Sequence, residues 1–172
     1  IDVRNNQVFD NVAGIEVENS RHVLVEGNVA RNNTGGILVF ITPGLPIKSS
    51  YDAIVRRNFV TNNNTPNFAI PGSLVAGIPS GTGILVMSGD KVIIEDNIIT
   101  GNNTGGIIVT SGDFVTEVAS DKDSDPHSDQ VEICNNVMRD NGNDPDGEMK
   151  LLILCKFRTK GPDILAYQSV VE

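Results

Sequence analysis

Val92-Ile93-Ile94-Glu95-Asp96-Asn97-Ile98-Ile99-Thr100-Gly101-Asn102 decides how this chain folds. Its apolar residues alternate around Asn97, so side chains point to two faces in turn, the period of a strand and not of a helix. The same frame, apolar-x-apolar-x-x-Asn-x-apolar-x-x-Asn, occurs five times in the chain. Its first Asn is Asn6, Asn28, Asn58, Asn97 and Asn136, and its second is Asn11, Asn33, Asn63, Asn102 and Asn141. The slots ahead of the first Asn hold Ile1/Val3, Val23/Val25, Ala53/Val55, Val92/Ile94 and Val131/Ile133. Val8, Ala30, Val60, Ile99 and Met138 fill the slot between the two Asn.

Gly-led apolar stretches follow the second Asn: Gly14-Ile15-Glu16-Val17, Gly36-Ile37-Leu38-Val39, Gly106-Ile107-Ile108-Val109 and, arriving late, Gly83-Ile84-Leu85-Val86. Each repeat therefore reads as three short strands with bends between them. Successive first Asn are 22, 30, 39 and 39 residues apart, a basic coil of 22 lengthened by loops of up to 39 − 22 = 17. Parallel strands cannot be joined by tight hairpins, and stacking coil on coil pairs each strand with its equivalents above and below.

This pattern resembles the right-handed parallel β-helix proteins of the pectin-lyase-like superfamily, over nearly the whole chain. The resemblance implies an all-β, single-domain, right-handed parallel β-helix over 1–172, of about five coils plus a terminal capping coil at 142–172. It also implies a buried ladder of stacked amides at one bend, matched in position by Asn6, Asn28, Asn58, Asn97 and Asn136. Two residues before each of these stand Arg4, Glu26, Arg56, Glu95 and Cys134, a column whose alternating charges are expected to pair along the axis. Because the chain opens at Ile1 inside a repeat, we read it as processed or trimmed, with an incomplete first coil.

Among 172 residues, 39% are hydrophobic, 5% aromatic and none is Trp, a composition of small aliphatics. Lys and Arg number 13 against 22 Asp and Glu, giving a charge of 13 − 22 = −9. That balance disfavours nucleic-acid phosphates, anionic membranes and, without a metal, polyanionic sugars as partners. No apolar run approaches the ~20 residues of a membrane span.

Three insertions border the Gly-led strands: Thr42 to Ser50, Thr65 to Thr82 and Ser111 to Ser128. Long loops on a rigid scaffold are where binding residues gather, and the resemblance implies a sugar-binding groove on that face. Its outward side chains are Glu16 and Glu18, candidate substrate contacts, followed by an apolar strip of Leu38, Phe40, Leu85, Met87 and Ile108. We expect the inserted loops, through Phe68, Ile70, Leu74, Val75, Phe114 and Val115, to cover that strip as core. Two further apolar columns, Leu24/Ile54/Ile93 and Val29/Phe59/Ile98/Val137, are candidate surfaces for a protein partner or self-association.

The densest chemistry lies in Asp121-Lys122-Asp123-Ser124-Asp125-Pro126-His127-Ser128-Asp129, with Glu132 beyond. Asp121, Asp123, Asp125, Asp129 and Glu132 have the oxygen-ligand spacing of a calcium loop, although Pro126 stands where the sharp turn needs Gly. Asp125-Pro126-His127 is similar to the Asp-Pro-His motif of mannuronan C5-epimerases, which implies catalytic roles for His127, Asp125 and Asp129. Ser128 replaces the motif's last acid, and Tyr51 lies in an earlier coil. His22 reads as structural. The sequons at Asn32, Asn63 and Asn102 coincide with the repeat's own bends.

Cys134 and Cys155 are 21 apart, about one coil, so they are expected either to stack and pair or to stay as buried thiols. Beyond Asn141 we expect the Asn ladder to end, with Leu151 to Leu154 as a buried strand and Ile164 starting another. The expected function is binding of an extracellular polysaccharide by a secreted, periplasmic or surface protein, with a calcium-assisted uronate lyase or epimerase that processes it as the enzymatic version. The other reading is a non-catalytic structural or adhesion module.

Overall fold

The computed structural model describes residues 1–113, 115–155 and 158–167. Its strands, β1 to β15 in chain order, form three sheets of five, all parallel. The first contains β1 (Asp2–Arg4), β4 (Arg21–Glu26), β7 (Ser50–Arg56), β10 (Gly89–Glu95) and β13 (Glu132–Cys134). The second contains β2 (Gln7–Phe9), β5 (Val29–Arg31), β8 (Phe59–Thr61), β11 (Ile98–Thr100) and β14 (Val137–Arg139). The third contains β3 (Ala13–Glu18), β6 (Gly35–Phe40), β9 (Thr82–Met87), β12 (Gly105–Thr110) and β15 (Ile164–Tyr167). Every pairing joins a strand to its equivalent in the next coil, so the molecule is a parallel β-helix with one strand of each sheet per coil.

Alternation sends one set of side chains into the tube. Val23, Val25, Ala53, Val55, Val92 and Ile94 from the first sheet meet Ala30, Val60 and Ile99 from the second and Ile37, Val39, Ile84, Val86, Ile107 and Val109 from the third. The amides at the two bends give the stack its register. Asn6 Nδ2 donates to Asn28 Oδ1 at 3.0 Å, and the pattern repeats from Asn28 to Asn58, Asn58 to Asn97 and Asn97 to Asn136 at 2.9–3.0 Å. The second Asn of each repeat does the same, from Asn11 through Asn33, Asn63 and Asn102 to Asn141, at 2.9–3.2 Å. There are thus two ladders, where the sequence reading assigned one. The sequons follow from this: Asn63 and Asn102 are buried ladder rungs.

The Gly of each of the first four third-sheet strands, Gly14, Gly36, Gly83 and Gly106, lies against the second ladder. A Cβ on Gly36 would stand 2.5 Å from the Gly83 carbonyl oxygen and 2.9 Å from Asn63 Nδ2. At the first bend the expected charge column forms. Arg56 Nε donates to Glu26 at 2.8 Å, Arg4 Nε lies 3.7 Å from Glu26, and Arg56 Nη1 lies 3.7 Å from Glu95.

The terminal coil departs from expectation in three ways. Leu151 to Leu154 belong to helix α2 (Gly147–Cys155), the second helix after the short α1 (Thr116–Ser120), and not to a buried strand; Ile153 is buried, whereas Leu151 is 65% exposed. Glu148, Met149, Lys150 and the Leu residues are strong helix formers, and Asp144-Pro145 takes the chain out of the coil beforehand. The ladder does not stop at Asn141, whose Nδ2 donates to Asp163 Oδ1 at 2.8 Å, so Asp163 ends the second column as a further acceptor. Cys134 and Cys155 are both free thiols, Cys134 half-buried on β13 and Cys155 exposed at the end of α2, so they neither pair nor share a buried column. Among the described residues no helix is long and apolar enough to cross a membrane.

Candidate functional site

The apolar strip on the third sheet is covered. Leu38, Phe40, Leu85, Met87 and Ile108 form a second buried cluster under Leu74, Val75, Ile78 and Val115 of the inserted loops. Phe68 and Ile70, expected in that cover, are 61% and 81% exposed, and Phe114 lies outside the described residues. A cavity of about 820 Å³ remains between the strip and the loops, lined mostly by apolar side chains, with Asn67 and Asp146 among its polar ones. Glu16 and Glu18 lie outward on β3, three coils from the His127 loop along the third sheet. Burial, then repulsion from Glu18, pushes the Glu16 carboxyl above its usual range, and Glu18 accepts a hydrogen bond from Thr42 Oγ1.

The insertion after β12 is sewn down at Asp125-Pro126-His127-Ser128. Pro126 O accepts from the Gly112 amide at 2.6 Å, from Ser88 Oγ at 2.8 Å and from Ser111 Oγ at 3.0 Å. Ser128 Oγ donates to Thr110 O at 2.8 Å. The segment is thereby fixed where the third sheet turns into the first. There His127 Nδ1 stands 3.7 Å from Asp113 Oδ2, and its own amide donates to Asp125 Oδ1 at 2.9 Å. From the coil before, Asp90 accepts the Asp129 amide at 3.0 Å. Burial raises the Asp90 carboxyl above its ordinary range and the Asp129 amide opposes that; the charges of Asp125 and Asp129 push it further up, and His127 pulls it down. A half-buried acid whose pKa is pushed up beside further carboxyls and an imidazole is the kind of arrangement that proton transfer uses.

The carboxylates proposed for calcium are dispersed. Asp121 accepts from Lys48 Nζ at 2.8 Å, Ser124 Oγ at 3.2 Å and the Gly44 and Asp123 amides at 3.3 and 3.2 Å. Those donors, Lys48 foremost, hold its carboxyl down at about 2. Its role is to latch the Thr42 to Ser50 insertion to the later one. Asp123 is exposed beside it, Asp125 and Asp129 face Asp90, and Glu132 points outward from β13. Among the described residues no three His, Cys, Asp or Glu side chains are grouped to hold a metal ion.

Nothing in the sequence reading singles out Asp90 or Asp113, while Tyr51 is placed there near the equivalent bend of an earlier coil. A positional signal existed: Arg21, Tyr51, Asp90 and Asp129 each stand seven residues before a ladder Asn (28 − 21, 58 − 51, 97 − 90, 136 − 129). Strand pairing bears this out, with Tyr51 on β7 in register with both Arg21 and Asp90. The residues one further on, His22, Asp52, Lys91 and Gln130, form a parallel column. There His22 Nδ1 meets Asp52 Oδ2 at 2.7 Å and Lys91 Nζ meets Asp52 Oδ1 at 3.1 Å. The two donors lower the Asp52 pKa, and Asp52 in turn raises that of Lys91.

Three stacked parallel sheets, two amide ladders and loops gathered on one face define the class of parallel β-helix proteins. The family model described as the right handed beta helix region matches residues 1–123 and 42–144, and the chain belongs to that family. No curated protein and no solved structure matches it.

Proposed function

We propose that this β-helix binds an extracellular polysaccharide where its third sheet turns into its first, as a secreted, periplasmic or surface-attached protein. The observation that carries the reading is a run of neighbouring polar groups, Asp113 beside His127, and Asp90 of the coil before, which accepts the Asp129 amide, near Asp125 and His127, held by the hydrogen bonds to Pro126 and Ser128. Carboxylates and an imidazole held rigidly at a surface corner suit sugar hydroxyls, which both donate and accept. If the site acts on its sugar, Asp90, Asp125, His127 and Asp129 are the side chains placed to exchange protons with it.

The test is a panel of polyuronates and neutral glycans incubated with wild type, His127→Ala and Asp90→Asn, following binding by calorimetry and the sugar by proton NMR. Binding weakened in both variants, with the fold intact, is the expected result. Wild type that binds no glycan ends the reading.

A second reading rests on the second sheet, where Phe59, Ile98 and Val137 form a column 39%, 48% and 49% exposed. Such a stripe suits contact between proteins. Sedimentation that shows a monomer at high concentration, unchanged by Ile98→Asp, removes it.

A further inference from the structure

Left-handed backbone is common at the bends of this coil, and at the two Asn bends nine of ten such residues are Asn, Asp or Gly, the exception being Arg57. Those residue types tolerate positive φ best. The column His22, Asp52, Lys91 and Gln130 has the same conformation, with φ of 56°, 60°, 51° and 55°, and two of its four residues, Lys91 and Gln130, are not among the types enriched there. Side chains kept at strained positions against conformational preference point to a role for the side chain itself.

That role centres on Tyr51, 38% exposed in the adjoining column. The His22 and Tyr51 rings lie perpendicular, 6.5 Å between centroids and 88° between planes, and Lys91 Nζ sits over the Tyr51 ring, 5.5 Å from its centre. Asp52 ties both neighbours down. The outcome is an aromatic ring immobilised at the surface and framed by hydrogen-bonding groups, an amphipathic platform for a ligand that is part apolar and part polar. Across the two columns Arg21 and Lys91 are set against Asp52, Asp90 and Asp129, so the strip offers no excess positive charge to a polyanion, on a chain of net charge −9.

Strands repeat about every 4.8 Å along the axis, a step close to that of an extended chain of pyranose rings. We propose that the ligand is an uncharged glycan lying parallel to the axis over Arg21, Tyr51, Asp90 and Asp129, one ring per coil, with one ring packed against Tyr51. This rests on the polysaccharide reading above and adds its direction, its charge class and its aromatic contact.

The experiment titrates wild type, Tyr51→Ala and Tyr51→Phe with neutral β-linked oligosaccharides of two to six rings, a polyuronate and a glucosamine polymer, after circular dichroism confirms the fold. Wild type is expected to bind a neutral series, with affinity rising up to about four rings and then levelling, one ring for each coil of the strip. Tyr51→Ala should weaken binding about tenfold while Tyr51→Phe keeps it. Neutral binding untouched in Tyr51→Ala, or binding confined to either charged polymer, overturns this inference and leaves the polysaccharide reading standing. Binding of no glycan overturns both.

Discussion

Asn58→Ala would remove the central rung of the first ladder. Asn58 is 2% exposed; its Oδ1 accepts from the Asn28 amide at 2.9 Å and Asn28 Nδ2 at 3.0 Å, and its Nδ2 donates to Asn97 Oδ1 and Val25 O, both at 3.0 Å. Alanine leaves the Asn28 amide and the Val25 carbonyl without that partner inside the stack. A stranded buried polar group costs about 1–3 kcal/mol, so two of them and the void predict a loss of about 4 kcal/mol. That is a large part of the 5–15 kcal/mol typical of a whole domain. Asn6→Ala provides the comparison, since Asn6 is exposed and its Nδ2 donates to Asn28 Oδ1 and Arg4 O. Its loss should be about 1 kcal/mol. Urea denaturation followed by circular dichroism measures both, and equal losses at the two positions would refute the reasoning.

The Asp121 latch makes stability depend on acid in a defined window. Its carboxyl titrates at about 2 in the fold against a usual value near 4, so the unfolded chain takes the proton first as pH falls. Its contribution is complete above pH ~4 and disappears as pH drops toward ~2. Lys48→Ala should flatten this part of the stability curve, as read from thermal midpoints between those values. At the second ladder, Gly36→Ala forces a methyl against the Gly83 carbonyl and should destabilise by about 2 kcal/mol or more, whereas Gly77→Ala, with nothing within 4 Å, should be tolerated. Chemical denaturation of the two variants decides whether close approach is what reserves Gly36. Leu38→Ala, at a residue sealed under the inserted loops, should cost about 2–5 kcal/mol and open those loops to limited proteolysis.

The three sheets were legible because two constraints reinforce each other along the chain: alternation picks the inward residues, and Asn marks the bends. The second ladder carried the same signal, a constant five-residue offset from Asn6 to Asn11 and onward, but turn preference alone accounts for an Asn at a bend and obscured its stacking. Helix α2 was misread because four successive apolar residues have no period, and a short apolar run is equally a strand until its neighbours are weighed. For the site, Asp125-Pro126-His127 is a local motif and visible as such. Asp90 and Tyr51 reach the same corner from other coils, through loops of unequal length, so their adjacency becomes visible only when positions are counted from the ladder Asn. The dispersal of Asp121 from the other acids depends on Lys48, donated by a different insertion, and no spacing within the acidic stretch could reveal it.

Hydrogen–deuterium exchange of the wild-type protein, with and without a saturating bound oligosaccharide, tests the central claim most directly. The account predicts new protection at the starts of β7 and β10 and across the segment from Asp125 to Gln130, with the second sheet unchanged. Protection confined to the second sheet, or to the apolar cavity around Leu74 to Ile78, would contradict it.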